Sequence, residues 1–338
     1  MNHSHLLATG VAVVLLMGCG TGSDTDTEVE RTQEPDRHGP QHSRPAGSRA
    51  SLTVTLNGYP GPETAGILLA DRLGYFADAG LEVEILEPAA PSLSITYVAN
   101  GASDIAVSQE PEVVLAQDEG LPIVTLGSVI PIATMAMIWL PQSGISEIAD
   151  LKGKTIGYPG VAFQKYFLEA VLETAGLDLD DVELKSLGYH LVPGLASGRA
   201  DAIFGGSGNV EGEALAARGL DPIVTPVTEL GIPAYDELVF VGSARIAGDP
   251  SLLHRFLQAA YRGAAAIEKH PAAGGKAVAK GSLGPAQARA SAAGVRATAP
   301  LLAEARDIDR EQTAALVDWM YRKGMIESEI PISQLFGL

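Results

Sequence analysis

From Leu52 onward the chain alternates short β-rich runs with amphipathic helical stretches, and no other feature restricts its fold so strongly. Residues 52–56 read as a first strand and 81–86 as a second, with Leu81, Val83 and Ile85 on one face and Glu82 and Glu84 on the other. Further short strands are expected at 105–107, 155–158, 182–187, 202–204 and 237–241. The spacing predicts helices over 64–73, 113–118, 163–175 and 192–197, with Gly74 and Gly176 as stops. The last third reads as almost entirely helical, at 252–267, 285–302 and 311–323. This is an α/β pattern long enough for two lobes of ordinary size. A second unit starts after Pro141, and the strand at 237–241 can return the chain to the first.

A different kind of segment precedes that pattern. An apolar run from Leu6 stops at Leu16-Met17-Gly18-Cys19, and Cys19 is the single cysteine among 338 residues. The run is too short for a permanent membrane helix but suits an export signal, with Cys19 as lipidation site and mature N-terminus. Met1 to His5 lack Lys and Arg, and Met17 is unusual before Gly18, so the match departs from the usual signal in two details. Residues 20–50 are polar and cannot offset the entropy of ordering, so they read as a disordered tether. The expected location is the extracytoplasmic side of the cell membrane, held by the lipid anchor alone, with the protein a monomer. Once Cys19 is lipidated, no disulfide or thiolate chemistry remains. Residues 123–140 are apolar but interrupted by Gly127 and Pro131, so they are not expected to span a membrane. A net charge of −18, from 23 basic and 41 acidic residues, argues against a nucleic-acid partner.

Catalytic motifs are imitated but not made. Gly153-Lys154-Thr155 has Ile148 where a phosphate loop needs its leading glycine, and it precedes a strand instead of following one. Gly206-Ser207-Gly208 meets Glu211 at the third glycine of a dinucleotide loop, and Asn209 replaces the last glycine of a nucleophile elbow. His190, His254 and His270 are isolated, and no carboxylate pair stands out as an acid/base couple. No enzyme machinery, metal or cofactor is expected. What remains is a series of Gly-, Tyr- and Ser-bearing loops after successive strands, where open α/β sheets bind ligands. The candidate ligand contacts are Asn57 and Tyr59; Ser108, Gln109 and Glu112; Tyr158, Phe163 and Gln164; Ser207, Asn209 and Glu211; and Tyr235.

Several runs carry a closer likeness, among them Gly66-Ile67-Leu68-Leu69-Ala70, Asp150-Leu151-Lys152-Gly153-Lys154-Thr155-Ile156-Gly157-Tyr158-Pro159-Gly160 and Gly231-Ile232-Pro233-Ala234-Tyr235-Asp236-Glu237. The most specific is the run from Gly188-Tyr189-His190 to Gly198-Arg199-Ala200-Asp201-Ala202. On these residues the chain resembles the bacterial solute-binding proteins of the thiamine-precursor type, the family that also contains the yeast pyrimidine-synthesis proteins. The resemblance implies a two-lobed periplasmic-binding-protein type II fold, each lobe a mixed sheet flanked by helices, with ligand in the cleft. It places lobe 1 at 51–140, lobe 2 at 141–240, and a return to lobe 1 with C-terminal helices at 241–338. The implied partners are a small heterocycle, most directly a thiamine pyrimidine precursor, and a membrane ABC permease with its ATPase.

Two family motifs are altered here. The Tyr-Trp-Asn-x-Glu run becomes Ser207-Gly208-Asn209-Val210-Glu211, keeping only Asn209 and Glu211. The Asp-Trp-x-Pro-Asn run, with a His shortly after, becomes Asn57-Gly58-Tyr59-Pro60-Gly61 with Thr64. Loss of aromatic bulk at Gly58 and Gly208 implies a roomier cleft, so a larger heterocycle such as riboflavin competes with a pyrimidine. Glu211 either accepts hydrogen bonds from an amino-heterocycle edge or serves a helix N-terminus. Glu211 and Tyr235 are expected to face Tyr59 and Ser108 across the cleft, with hinges near 138–142 and 239–242. A pyrimidine-synthesis-like enzyme is the alternative of another class; against it, the chain lacks the cysteine-rich motif of that branch.

Overall fold

The computed structural model describes residues 49–279 and 285–336. Cys19 and the expected tether up to residue 48 lie outside the described residues. Ten strands follow in chain order: β1 (Ala50–Thr55), β2 (Leu81–Leu86), β3 (Ile105–Ser108), β4 (Ile123–Ile130), β5 (Met135–Trp139), β6 (Thr155–Tyr158), β7 (Glu183–Ser186), β8 (Ala202–Ser207), β9 (Ile223–Pro226) and β10 (Leu238–Ser243). They form two five-stranded mixed sheets, ordered β2-β1-β3-β10-β4 and β7-β6-β8-β5-β9. In the first, β1 runs parallel to β2 and β3, while β10 lies antiparallel between β3 and β4. In the second, β6 is parallel to β7 and β8, and β5 lies antiparallel between β8 and β9. Short β-rich runs separated by helices produce this layout because each parallel neighbour needs a crossover.

The apolar run at 123–140 is two strands, not one unassigned stretch. Pro131 cannot donate to a ladder, so the chain leaves the first sheet at Ile130 and enters the second at Met135. The return crossing lies between β9 and β10, over residues 227–237. The hinges expected at 138–142 and 239–242 are therefore misplaced. Ile138 and Trp139 are buried inside β5, and Val239 to Gly242 are paired on both sides within β10. The crossings are residues 131–134 and 227–237, so the second lobe's sheet begins before residue 141 and the first lobe's return strand begins before residue 241.

The C-terminal third divides between the lobes. Helix Pro250–Lys269 places Phe256, Leu257 and Ile267 in the first core, where Phe256 meets Phe76 at 5.5 Å and Phe240 at 5.2 Å. Its Gly263 allows backbone contact with helix Ala65–Arg72, because a Cβ there would overlap the Gly66 carbonyl. Helix Arg310–Arg322 instead gives Leu316, Val317 and Met320 to the second core, beside Phe163, Phe167 and Val171. Only part of 241–338 therefore belongs to the first lobe. No described helix is long and apolar enough to cross a membrane.

Candidate ligand-binding cleft

A cleft of about 290 Å³ lies between loops that follow strands of both sheets. At about 30 Å³ per liquid water it holds roughly ten waters, near the lower end of small-molecule sites. Its first wall is the segment after β1. The Gly61 N–H donates to Thr64 Oγ1 at 3.2 Å and the Thr64 hydroxyl donates back to the Gly61 carbonyl at 3.3 Å, closing the short turn Pro62–Thr64. That turn directs Glu63 to the cleft, where the Asn57 amide donates to it at 3.5 Å.

The second wall follows β8. The strand ends at Ser207 and the chain makes a wide π-type turn, Gly208–Gly212, of the kind frequent at functional sites. The turn folds Glu211 back so that it accepts the Ser207 N–H at 2.8 Å. Gly206 makes room for it, since a Cβ there would stand 2.9 Å from Glu211 Cγ. The third carboxyl comes from a crossing segment. Glu237 accepts the N–H groups of Thr134 and Met135 at 2.7 and 2.8 Å, tying one crossing to the other.

Glu63, Glu211 and Glu237 thus share one cleft, and no Lys, Arg or His lines it among the described residues. Burial pushes all three carboxyls above their ordinary range, and the like charges of Glu237 and Glu211 help raise Glu63 to about 8. None of the described His, Cys, Asp and Glu residues forms a group of three or more able to hold a metal ion.

Two tyrosines cover the mouth from opposite lobes. The rings of Tyr59 and Tyr189 lie 4.3 Å apart at 41°, and the Tyr189 hydroxyl donates to the Pro88 carbonyl at 3.4 Å. Burial pushes the Tyr189 phenol up to about 12, so it stays neutral. The space vacated at Gly58 is filled: a Cβ there would lie 3.0 Å from Tyr189 Cε1, and one on Gly208 would lie 3.1 Å from Val224 Cγ1. Next to both glycines, therefore, side chains from elsewhere in the chain take up the immediate space.

Of the candidate contacts, Asn57, Tyr59, Gln109, Ser207 and Glu211 line the cleft. The others do not. Ser108 is buried and donates its hydroxyl to Glu112, which is itself buried. Tyr158 is 8% exposed and lies beneath the wall, while Phe163 is packed at 5.1 Å against Phe167 on successive turns of helix Ala162–Glu173. Gln164 lies under Gly205, its amide without a partner among the described residues. Asn209 turns away and donates to Thr298 Oγ1 at 2.8 Å, on helix Pro285–Ala303. Tyr235, expected opposite Tyr59, is wholly buried against Phe167, because its ring completes the second core. Glu63, Tyr189 and Glu237 were missed. In the sequence, Glu63 lies in a loop whose glycines are its strongest signal, Tyr189 sits beside His190, and Glu237 reads as the start of a strand.

Two lobes, two crossing segments and a ligand-sized cleft between them define a periplasmic-binding-protein-like fold. Residues 61–274 match the NMT1/THI5-like family, and the chain belongs to it. Over 291 residues it is 31% identical to a Haemophilus influenzae protein named for thiamine biosynthesis, spanning 86% of this chain and 92% of that one. Over 214 residues it is 35% identical to the formylaminopyrimidine-binding protein of Halalkalibacterium halodurans, spanning 63% of this chain and 65% of its relative. Among solved structures, the alkanesulfonate-binding protein SsuA from Xanthomonas axonopodis pv. citri, bound to MOPS, superposes with a TM-score of 0.69. It is 18% identical, and the match covers 86% of this chain and 98% of that one, a likeness of fold alone.

Proposed function

We propose that this protein is the extracytoplasmic solute-binding component of an ABC importer, and that it captures an unphosphorylated aminopyrimidine of the thiamine-precursor kind. The observation that carries this is the cleft lined, among the described residues, by three carboxyls and no cationic side chain. An aminopyrimidine presents N–H donors and a weakly basic ring nitrogen, both matched by carboxyls. An anion finds no cationic partner among the described lining residues, and wherever one carboxyl ionises, a sulfonate or phosphate about 5 Å away loses about 3 kcal/mol at an effective dielectric of 20. The same fold thus carries opposite ligand chemistry here and in the alkanesulfonate-binding neighbour. A flavin is favoured less than an aminopyrimidine, because its polar edge sets carbonyl acceptors on either side of a single N–H.

The relative named for binding formylaminopyrimidine supports this class of ligand. Other relatives are named as pyrimidine phosphate synthases, and their phosphorylated product would have to face the same three carboxyls. We therefore favour capture over catalysis. The test is titration calorimetry with 4-amino-5-hydroxymethyl-2-methylpyrimidine, its phosphate, riboflavin and MOPS, followed by mass spectrometry of the bound fraction. The unphosphorylated pyrimidine should bind tightest and be recovered unchanged; turnover by the isolated protein would overturn the transport assignment. Cys19→Ser should release the protein from the membrane fraction or leave a precursor, and processing and retention like wild type would refute the anchor.

A further inference from the structure

We propose that Glu63 is the group that reads the amidine-like edge of the ligand, pairing with ring nitrogen and exocyclic amine at once and sharing one proton with them. The inference rests on the aminopyrimidine assignment and names a residue for it. Among the three cleft carboxyls, Glu237 is held by two backbone N–H groups and Glu211 by the Ser207 N–H. Glu63 has only the Asn57 amide at 3.5 Å, beyond the range of a good N–H···O bond. Its hydrogen-bonding capacity is left almost whole, and it faces the cleft from a turn locked by Thr64.

A neutral carboxyl carries a donor and an acceptor side by side. That is the complement of a ring nitrogen next to an exocyclic N–H, and the pair makes two parallel bonds. A carboxylate pairs equally with the protonated ring. Either way the complex contains one proton between the two partners. The groups facing Glu63 are Glu211 and Glu237 across the cleft, Asn57 beside it, and the phenol of Tyr235; the Tyr261 hydroxyl, from helix Pro250–Lys269, is turned to the Arg306 carbonyl. None supplies a positive charge. With the Glu63 carboxyl raised to about 8, the free protein already holds the shared proton at neutral pH. At higher pH the proton must be taken up from solution when ligand binds.

The experiment is calorimetry of 4-amino-5-hydroxymethyl-2-methylpyrimidine binding, in buffers of different ionisation enthalpy, from about pH 6.5 to 9.5. Wild type should take up almost no proton at the acid end and close to one at the alkaline end, with affinity falling above about pH 8. Glu63→Gln retains a donor and an acceptor side by side, so it should bind within a few-fold of wild type at pH 7 with pH-independent proton uptake. Glu63→Leu should lose roughly thirty- to a hundredfold in affinity. Circular dichroism melting confirms that both variants fold, and the isosteric amide keeps the test decisive if the leucine variant does not. Proton uptake in Glu63→Gln that still rises with pH as in wild type, or Glu63→Leu binding as tightly as wild type, would overturn the role of Glu63 alone. Wild type failing to bind the pyrimidine at all would instead remove the functional assignment and this inference with it.

Discussion

Two groups of carboxyls flank the crossing segments, one partly exposed in the cleft and one buried behind it, and they differ in who satisfies them. In the cleft stand Glu63, Glu211 and Glu237. Behind it stand Glu110, Glu112 and Asp236. Glu110 accepts the Asp236 N–H at 2.7 Å and the Thr313 hydroxyl; Asp236 accepts the Gln312 amide at 2.9 Å; Glu112 accepts the Ser108 hydroxyl. Burial raises both groups, with Glu110 and Glu112 pushed up to about 7. In the rear group, however, each carboxyl accepts at least one protein donor, with Asp236 Oδ2 left unpaired among the described residues, and the donors to Glu110 and Asp236 bind helix Arg310–Arg322 to the crossing. In the cleft Glu63 is left nearly unpaired. Identical chemistry is structural in one place and available to a ligand in the other, and the difference lies in partners, not in residue type.

The largest effect that tests this contrast is on pH-dependent stability. Glu110 and Glu112 have folded pKa values near 7 against about 4.3 in the unfolded chain, so the native state binds more protons between those values. Stability from these groups is therefore greatest below about pH 4.3, falls as pH rises to 7 and is flat beyond. Urea unfolding without ligand should show a loss on the order of 5 kcal/mol from these two groups between pH 5 and pH 8, about 2.5 kcal/mol from each. Glu112→Gln should flatten part of that slope without changing pyrimidine affinity. A wild-type slope retained in full would break the assignment.

Next is Glu211→Gln, which exchanges one acceptor oxygen for a donor in the cleft. Leaving a desolvated ligand donor without its acceptor costs about 1–3 kcal/mol, or roughly five- to a hundredfold in affinity for an aminopyrimidine. Melting temperature should hardly move, because one like charge leaves the cleft. Equal affinity for every ligand would remove Glu211 from the site. Thr313→Val is the counterpart behind the crossing: it leaves Glu110 short of one donor and should destabilise by about 1–2 kcal/mol, with ligand affinity kept in the folded protein. If it weakened binding as much as Glu211→Gln does, the two groups would be one.

Strand–helix alternation makes the α/β class legible, and position after successive strands points to loops of which four contribute to the cleft. The loops were visible because glycines and strand ends are local signals. Which side chain of a loop turns inward was not, since that depends on packing across the molecule. Tyr235 and Phe163 look like ligand contacts by position, yet the second core takes both rings. Glu63 looks like a solvated loop charge until Thr64 locks the turn and Glu237 arrives from a distant crossing. The crossings lie elsewhere than expected because the apolar run at 123–140, read as one stretch, holds two strands of different sheets on either side of Pro131.

The smallest expected effect concerns the tyrosines that cover the cleft. Tyr59 and Tyr189 come from opposite lobes and meet ring to ring at 4.3 Å at the mouth, with Tyr189 also bonded to the Pro88 carbonyl. An aromatic pair contributes about 0.5–1.5 kcal/mol beyond its burial. Tyr189→Ala should therefore leave unfolding almost unchanged and weaken binding about fivefold, carried by faster release, since covering a bound ligand acts mainly on dissociation. Tyr189→Phe keeps the ring contact and loses only the 3.4 Å bond to the Pro88 carbonyl, so it should stay within about twofold of wild type. Stopped-flow displacement of the pyrimidine separates the cases. Release unchanged in Tyr189→Ala would mean that the lobes are held closed by Glu237 and the crossings alone, and that the tyrosines are only the rim of the cleft.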